Sequence, residues 1–183
     1  CNIKEGTRLI ADYVFSDCGV TSITIPESVK SIGNSAISYC TSLTSVTIGN
    51  GVTTIGHGAF SECYKLASIT IPQNVKSIGD GAFSFCRDLT SITSESTTPP
   101  TIVEYYYNAF DEVDKSIPLY VPAESVEAYK SAEYWEEITN ILPINESVTS
   151  VIDNKIDNIS VRSIGNNIVV TGTDNYTVYS ISG

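Results

Sequence analysis

Residues 54–77 read TIGHGAFSECYKLASITIPQNVKS, and this stretch decides the fold because its neighbours repeat it without gaps. The preceding copy, SIGNSAISYCTSLTSVTIGNGVTT, begins at Ser31, and the following one, SIGDGAFSFCRDLTSIT, begins at Ser77, an offset of 23 residues at each step (31, 54, 77). Ile32, Ile55 and Ile78 thereby share one position, and Gly33, Gly56 and Gly79 share the next. The same holds for Ala36, Ala59 and Ala82, for Cys40, Cys63 and Cys86, and for Leu43, Leu66 and Leu89. An earlier copy runs from Ile10 through Phe15 and Cys18 to Ile25 and Val29, one residue shorter after Cys18. Cys1-Asn2-Ile3 falls where Ile23-Thr24-Ile25 falls one repeat later, so the chain is read as opening in mid-repeat.

Within a unit, Leu66-Ala-Ser-Ile69-Thr-Ile71-Pro72 predicts a turn into a very short strand, with Ile69 and Ile71 on one side and Ser68 and Thr70 on the other. The segment from Gly79 to Cys86 carries apolar residues three and four apart, which predicts a short helical or 3₁₀ turn entered through glycines. Roughly eight buried apolar side chains at ~1.5–3 kcal/mol each do not offset ~1–2 kcal/mol of backbone entropy per residue over such a unit. One repeat cannot fold alone. Stacked repeats share a continuous core and pair strands edge to edge, so the expected fold is an α/β solenoid of the leucine-rich repeat class. Short parallel strands would line one face, with short helical or 3₁₀ segments opposite.

The recurring IG-x-x-AF-x-x-C-x-x-L-x-x-I-x-IP-x-x-V, as in Ile55-Gly56 through Val75, resembles the BspA-like family of bacterial leucine-rich repeats over residues 1–144. The resemblance implies a secreted or surface-attached bacterial protein that works in adhesion or partner binding, with no catalytic residues to carry over. Departures from the pattern are Ile37, where Phe60 and Phe83 stand in other copies, and Gly49, where Pro26 and Pro72 stand.

The period breaks beyond Ile92 in the Ser/Thr/Pro-rich stretch Ser94–Pro100, which reads as a loop, so the regular repeats are assigned to residues 1–93. It returns in altered form: Asn108-Ala109-Phe110 matches Gly81-Ala82-Phe83, and Leu119-Tyr120-Val121-Pro122 matches Ile69-Thr70-Ile71-Pro72. Residues 94–144 are therefore expected to form a degenerate repeat, with an insertion around Tyr105-Tyr106-Tyr107, and a capping helix carrying Val126, Tyr129 and Ala132. Residues 145–183 read as an acidic, Asn-rich linker followed by a small β tail, with a hairpin signal where Gly172-Thr-Asp-Asn175 separates Ile168–Val170 from Thr177–Ile181. This tail weakly resembles the front part of a Por-type C-terminal sorting domain, and it is expected to dock on the cap or to be an incomplete module.

The chain has 183 residues, with 21 Asp+Glu against 10 Lys+Arg and a net charge of -11, so the basic footprint needed for nucleic acid is missing. No apolar run approaches the ~18–20 residues of a membrane helix. With one His, at position 57, and no fixed nucleophile partner, catalysis by a Ser-His-Asp or Cys-His arrangement has no support, and no cofactor is implied. His57 occupies a position held by Asp12, Asn34 and Asp80 in other copies, which reads as an exposed loop site tolerant of any polar side chain. The aligned cysteines read as a file of free core thiols, since their spacing lacks the C-x₂-C pairs of zinc sites. A lipid on Cys1 is disfavoured because the repeat begins at once with no spacer. Asp111, Glu112, Asp114, Glu133, Glu136 and Glu137 lack a calcium-loop spacing and read as solvated charge.

The expected binding residues are the outward strand positions Ser22, Thr24, Ser45, Thr47, Ser68, Thr70, Ser91 and Thr93, together with Tyr106, Tyr107 and Tyr120. Three readings of the hydroxyl rows stay open: small β-compatible residues that keep a sheet soluble, a binding face, or a regular hydroxyl lattice of the kind found in ice-binding solenoids. Two also stay open for the cap aromatics, core closure and a platform for a sugar or peptide. The function expected is a non-enzymatic interaction scaffold for an unidentified host or bacterial surface protein or glycan, the alternative being a stalk that presents another module.

Overall fold

The computed structural model describes residues 3–103, 105–144, 160–164, 167–171 and 176–180. Residues Cys1–Ile144 and Asn145–Gly183 form two separate compact units. The first is a parallel solenoid, as the 23-residue period requires.

Each coil contributes two strands, numbered here in chain order. One column holds the two-residue strands β1 (Leu9–Ile10), β3 (Ser31–Ile32), β5 (Thr54–Ile55), β7 (Ser77–Ile78) and β9 (Thr101–Ile102), joined in that order into one five-stranded parallel sheet. The other holds β2 (Ser22–Ile25), β4 (Ser45–Ile48), β6 (Ser68–Ile71), β8 (Ser91–Ser94), β10 (Pro118–Val121) and β11 (Asn140–Pro143). In this column β2 pairs with β4, and β6, β8, β10 and β11 pair in sequence. Between β4 and β6 the ladder is interrupted, although the Ala67 N–H still reaches the Thr44 carbonyl at 3.4 Å.

Strand alternation buries one side of every rung. Ile10, Ile32, Ile55, Ile78 and Ile102 are in mutual register, and all are at most 5% exposed. Ile69, Ile92, Leu119 and Ile141 form a second file in the other column. Between the files Phe60, Phe83 and Phe110 stack nearly parallel, with ring centroids 5.3 and 5.4 Å apart. Trp135 ends this ladder, 5.5 Å from Phe110 and edge-on to Tyr129 at 5.2 Å.

The arcs joining the two columns differ from the expected helical segments. Amides alternate in their use: Ala36 and Ser38 donate back to the Gly33 and Ser35 carbonyls, whereas Ser35, Ile37 and Tyr39 donate to His57, Ala59 and Ser61 on the next coil. Such a helix cannot propagate, because every second N–H is taken by the neighbour. Two residues per arc are left-handed, at Ser35 and Tyr39 (φ 50° and 58°), Gly58 and Glu62 (58° and 59°), and Gly81 and Phe85 (58° and 60°). Each sits third in a four-residue turn, where positive φ is the type II requirement. The apolar spacing of three and four that suggested a helix arises from consecutive turns.

Cys40, Cys63 and Cys86 are buried free thiols whose Sγ atoms donate to the carbonyls of Phe15, Ile37 and Phe60 on the preceding coil, at 3.1, 3.2 and 3.2 Å. Burial pushes all three thiols up, that of Cys86 to about 12, so they are poor nucleophiles. Cys18, in the first copy, is half-buried. Cys1 lies outside the described residues, as does any lipid anchor there.

The degenerate repeat closes the stack as expected. The Phe83 amide donates to the Ala109 carbonyl at 2.7 Å, matching the Phe60-to-Ala82 bond one coil earlier. The cap is a 3₁₀ turn, Ala123–Ser125, running into the short helix α1 (Val126–Lys130). Its aromatic residues satisfy their polar atoms inside: the Trp135 Nε1–H donates to the Pro100 carbonyl at 2.8 Å, and the Tyr129 hydroxyl donates to that of Ser96 at 3.0 Å. Ser94 stands where Ile71 stands one rung earlier, and its hydroxyl lies 2.7 Å from the Tyr129 oxygen. Among the described residues no buried side-chain polar atom lacks a partner.

In the second unit β12 (Ser160–Ile164), β13 (Asn167–Thr171) and β14 (Tyr176–Ser180) form an antiparallel three-stranded sheet. The pairing of β13 with β14 matches the hairpin signal. The expected linker at 145–159 and the turn at 172–175 lie outside the described residues.

Candidate functional site

The expected binding residues divide between two surfaces. On the second column, Ser22 stands opposite Ser45 and Thr24 opposite Thr47, while Ser68 pairs with Ser91 and Thr70 with Thr93. The first six are exposed and Ser91 and Thr93 half-buried. Tyr120 is in register with Thr93, so it extends the threonine row into the cap. Adjacent rungs lie about 4.8 Å apart, which sets the pitch of both hydroxyl rows.

Tyr106 and Tyr107 lie elsewhere, on the arcs. The insertion carrying them folds over Asp80. The backbone N–H groups of Tyr105, Tyr106 and Tyr107 all donate to Asp80 Oδ1, at 3.0, 2.9 and 2.8 Å. The side chains of Tyr105 and Tyr106 consequently project into solvent, 74% and 86% exposed. The two readings of the cap aromatics thus apply to different residues: Tyr129 and Trp135 close the core, and Tyr105–Tyr107 are displayed.

Asp80 terminates a ladder that the sequence only hinted at. Asp12 Oδ1 accepts from the Asn34 N–H at 2.7 Å, Asn34 Oδ1 from the His57 N–H at 2.9 Å, and His57 Nδ1 from the Asp80 N–H at 3.1 Å. This position was expected to tolerate any polar side chain; it requires an acceptor, because each side chain holds the amide of the coil above. His57 is half-buried rather than an exposed loop residue, with its ring 5.8 Å from that of Tyr105. Replacing His57 with alanine is expected to cost about 1 kcal/mol, the usual net worth of such a bond, whereas His57→Asn should cost less than half as much because Asn34 already does the same work. Urea denaturation of both variants measures the difference.

Partial burial raises the Asp80 carboxyl, but the amides of Tyr107, Tyr105 and Tyr106, with His57 nearby, outweigh it and hold the group below the usual aspartate range. A carboxylate with a depressed folded value stabilises the chain fully above the unfolded value near pH 4, and that contribution fades as pH falls through the folded one. Asp80→Asn keeps an acceptor oxygen and removes the titration. The gap in melting temperature between wild type and Asp80→Asn should therefore narrow as the pH is lowered from about 6 to about 3.

The arcs enclose an open groove of about 540 Å³ whose walls include Tyr13, Tyr39, His57, Glu62, Phe85 and Tyr107. Along the same arcs runs the column of residues immediately before the aligned cysteines, Asp17, Tyr39, Glu62 and Phe85, continued by Glu112 in the degenerate coil; of these Tyr39, Glu62 and Phe85 line the groove. All five are left-handed, with φ of 57–60°. Their amides link the coils, the N–H of Asp17, Tyr39, Glu62 and Phe85 donating to the carbonyls of Ser38, Ser61, Ser84 and Asp111. Acid and aromatic therefore alternate along the stack. The Glu62 carboxylate accepts the hydroxyl of Tyr64, and its negative charge raises the phenols of both Tyr64 and Tyr39. Arg87 lies over the Phe85 ring, 5.4 Å from its centroid, and reaches Glu112 at 3.4 Å.

This column was legible as an aligned position, but residue type alone does not reveal that a tyrosine or glutamate there takes positive φ and points outward. Of the carboxylates expected to be plain solvated charge, Glu112 pairs with Arg87, and Glu137 pairs with Lys115 at 3.4 Å and accepts from Asn108. Among the described residues no group of His, Cys, Asp and Glu has the arrangement of a metal site, and no helix is long and apolar enough to cross a membrane.

Residues 8–122, more than half of the chain, match the family model of the BspA type leucine rich repeat region in six copies. No curated protein matches the sequence. Among solved structures, a leucine-rich repeat protein of T. pallidum superposes with a TM-score of 0.57 at 24% identity, covering 75% of this chain and 64% of that one. A leucine-rich repeat protein from Bacteroides ovatus superposes with a TM-score of 0.52 at 24% identity, covering 78% of this chain and 41% of that one. At this identity the likeness is one of fold, and the chain spans less than two thirds of either structure. The resemblance of residues 145–183 to a Por-type sorting domain finds no support in these matches.

Proposed function

Because the chain belongs to the BspA-type leucine-rich repeat family, we propose that it is a non-enzymatic scaffold presenting a rigid, acidic surface to a partner protein or glycan at or outside a bacterial cell. The observation that carries this reading is the register of the exposed rows. Ser22 with Ser45, Thr24 with Thr47, Ser68 with Ser91 and Thr70 with Thr93 hold side chains at a fixed pitch over a continuous core, a preorganised surface that loses little conformational freedom on binding. The residues that would contact the partner are these serines and threonines, Tyr120 beside them, and the displayed Tyr106 and Tyr107. The domain plan that goes with it is a repeat body over residues 1–93, a degenerate repeat and cap over 94–144, and a linker with a small β tail over 145–183.

The test is a pull-down with host matrix proteins and a glycan array, each run with the chain and with a variant carrying Thr47→Lys and Thr70→Lys. A partner captured by the wild type and lost by the variant is the expected result. Capture by neither would favour a spacer that merely displays another module.

A further inference from the structure

From the alternating column on the arcs we infer a recognition site for an arginine side chain of a partner peptide, centred on Tyr39 and flanked by Asp17 and Glu62. The inference rests on the scaffold reading above and names the chemistry of one of its surfaces.

Three observations carry it. First, the column alternates carboxylate and ring at every rung, Asp17, Tyr39, Glu62, Phe85, Glu112, with each residue held in the same left-handed conformation that turns its side chain away from the core. Aromatic residues are poor occupants of that conformation, and the other left-handed position of these arcs is held by Tyr13 and Ser35 in the first two copies and by glycine, at Gly58 and Gly81, in the next two. Local folding does not ask for a ring there. Secondly, the chain already makes this contact once within itself. Arg87 lies over Phe85 and pairs with Glu112, using the upper ring and the acid beyond it. Two rungs below, Tyr39 has an acid on each side, and the position equivalent to Arg87 is Thr41, which supplies no cation. Thirdly, the ring lies on an open groove, half exposed, on a chain of net charge -11. Glu62 keeps acceptor capacity after taking the Tyr64 hydroxyl, because an ionised carboxylate has about four lone-pair sites. A guanidinium is the group that stacks on a ring face and bonds carboxylates in its own plane, and a free cation in this setting meets both partners at once.

The two rings, Tyr39 and Phe85, are two rungs apart, about 10 Å, which is close to one turn of a polyproline II peptide, three residues at about 3.1 Å each, after which side chains return to the same face. This yields a test with a gain as well as a loss. The probe is a fluorescein-labelled peptide, Arg-Ser-Ser-Arg-Ser-Ser, titrated with the full chain at low salt and followed by anisotropy. Glu62→Gln and Tyr39→Asn, the latter chosen because asparagine accepts positive φ, should each weaken binding about fivefold, with unchanged circular dichroism melting. Arg87→Ala should tighten binding about fivefold, because it frees Phe85 and Glu112 for the second arginine. Lys65→Ala removes the same charge from an exposed site outside the column and should change binding less than twofold. A peptide with citrulline in place of arginine should not bind. Equal effects of Arg87→Ala and Lys65→Ala, or indifference to Glu62→Gln and Tyr39→Asn, would overturn the site while leaving the scaffold reading intact. A neutral chito-oligosaccharide bound in place of the peptide and lost in the same variants would also overturn it, assigning the groove to sugar.

Discussion

Replacing Gly56 with alanine is expected to lower stability by about 3 kcal/mol and the melting temperature by about 10 °C, a large effect for one methyl group. A Cβ at Gly56 would stand 2.7 Å from the Gly33 carbonyl carbon and 2.8 Å from the Asn34 nitrogen, both backbone atoms of the coil below. No rotamer change relieves such a contact. Gly79 repeats the situation against His57 and Gly56, so the glycines of the Ile-Gly pairs form a line along which consecutive coils approach closely. To admit the methyl group the coils must separate, which stretches the Gly56 N–H to Ile32 carbonyl bond of 2.9 Å and the ladder between β3 and β5 beside it. Gly58→Ala provides the contrast. There the cost is the left-handed φ of 58°, with only the Ser35 hydroxyl near at 3.3 Å, and about 1 kcal/mol is expected. Thermal melts of both variants distinguish close approach from conformation as the reason for a repeated glycine.

Phe83→Ala should cost about 4 kcal/mol, within the range for deleting a fully buried phenylalanine ring. Phe83 is fully buried between Phe60 and Phe110, so its removal takes the middle out of the ring ladder that links the regular coils to the Trp135 cap. In a stack each coil is stabilised mainly by its neighbours. The loss is therefore expected to weaken cooperativity as well as stability: urea unfolding followed by Trp135 fluorescence should precede unfolding followed by far-ultraviolet dichroism, whereas the two coincide in the wild type. Phe83→Leu, which retains most of the volume, should cost less than half as much and keep the transitions together.

The stacked core was readable because identities recur at one spacing, and a position that is apolar in every copy has to face a shared interior. The ladder Phe60, Phe83, Phe110 follows directly from that alignment, even across the insertion. Two features were hidden for physical reasons. The acceptor ladder runs through Asp12, Asn34, His57 and Asp80, four different side chains whose common property is a lone pair at the right distance, so residue identity masked the function. The arcs were read as helical because alternate turns and a helix place apolar side chains at similar intervals. What separates them is the sign of φ at Ser35 and Tyr39, a backbone property that serine and tyrosine do not advertise. The groove formed by those arcs was missed for the same reason, while the hydroxyl rows were visible because strand alternation has a simple period of two.

Asp80 has one more implication, for protein engineering. By gathering the amides of Tyr105, Tyr106 and Tyr107 onto one oxygen, it lets a coil of greater length begin and end on the same footing as its neighbours. The stack therefore carries a natural splice point: foreign peptide grafted between Ile102 and Tyr105 would be clamped at its exit, leaving Phe110 to seat in the ring ladder as before. An aspartate at the same place in another coil, Asp12 for example, marks where a second graft could be introduced.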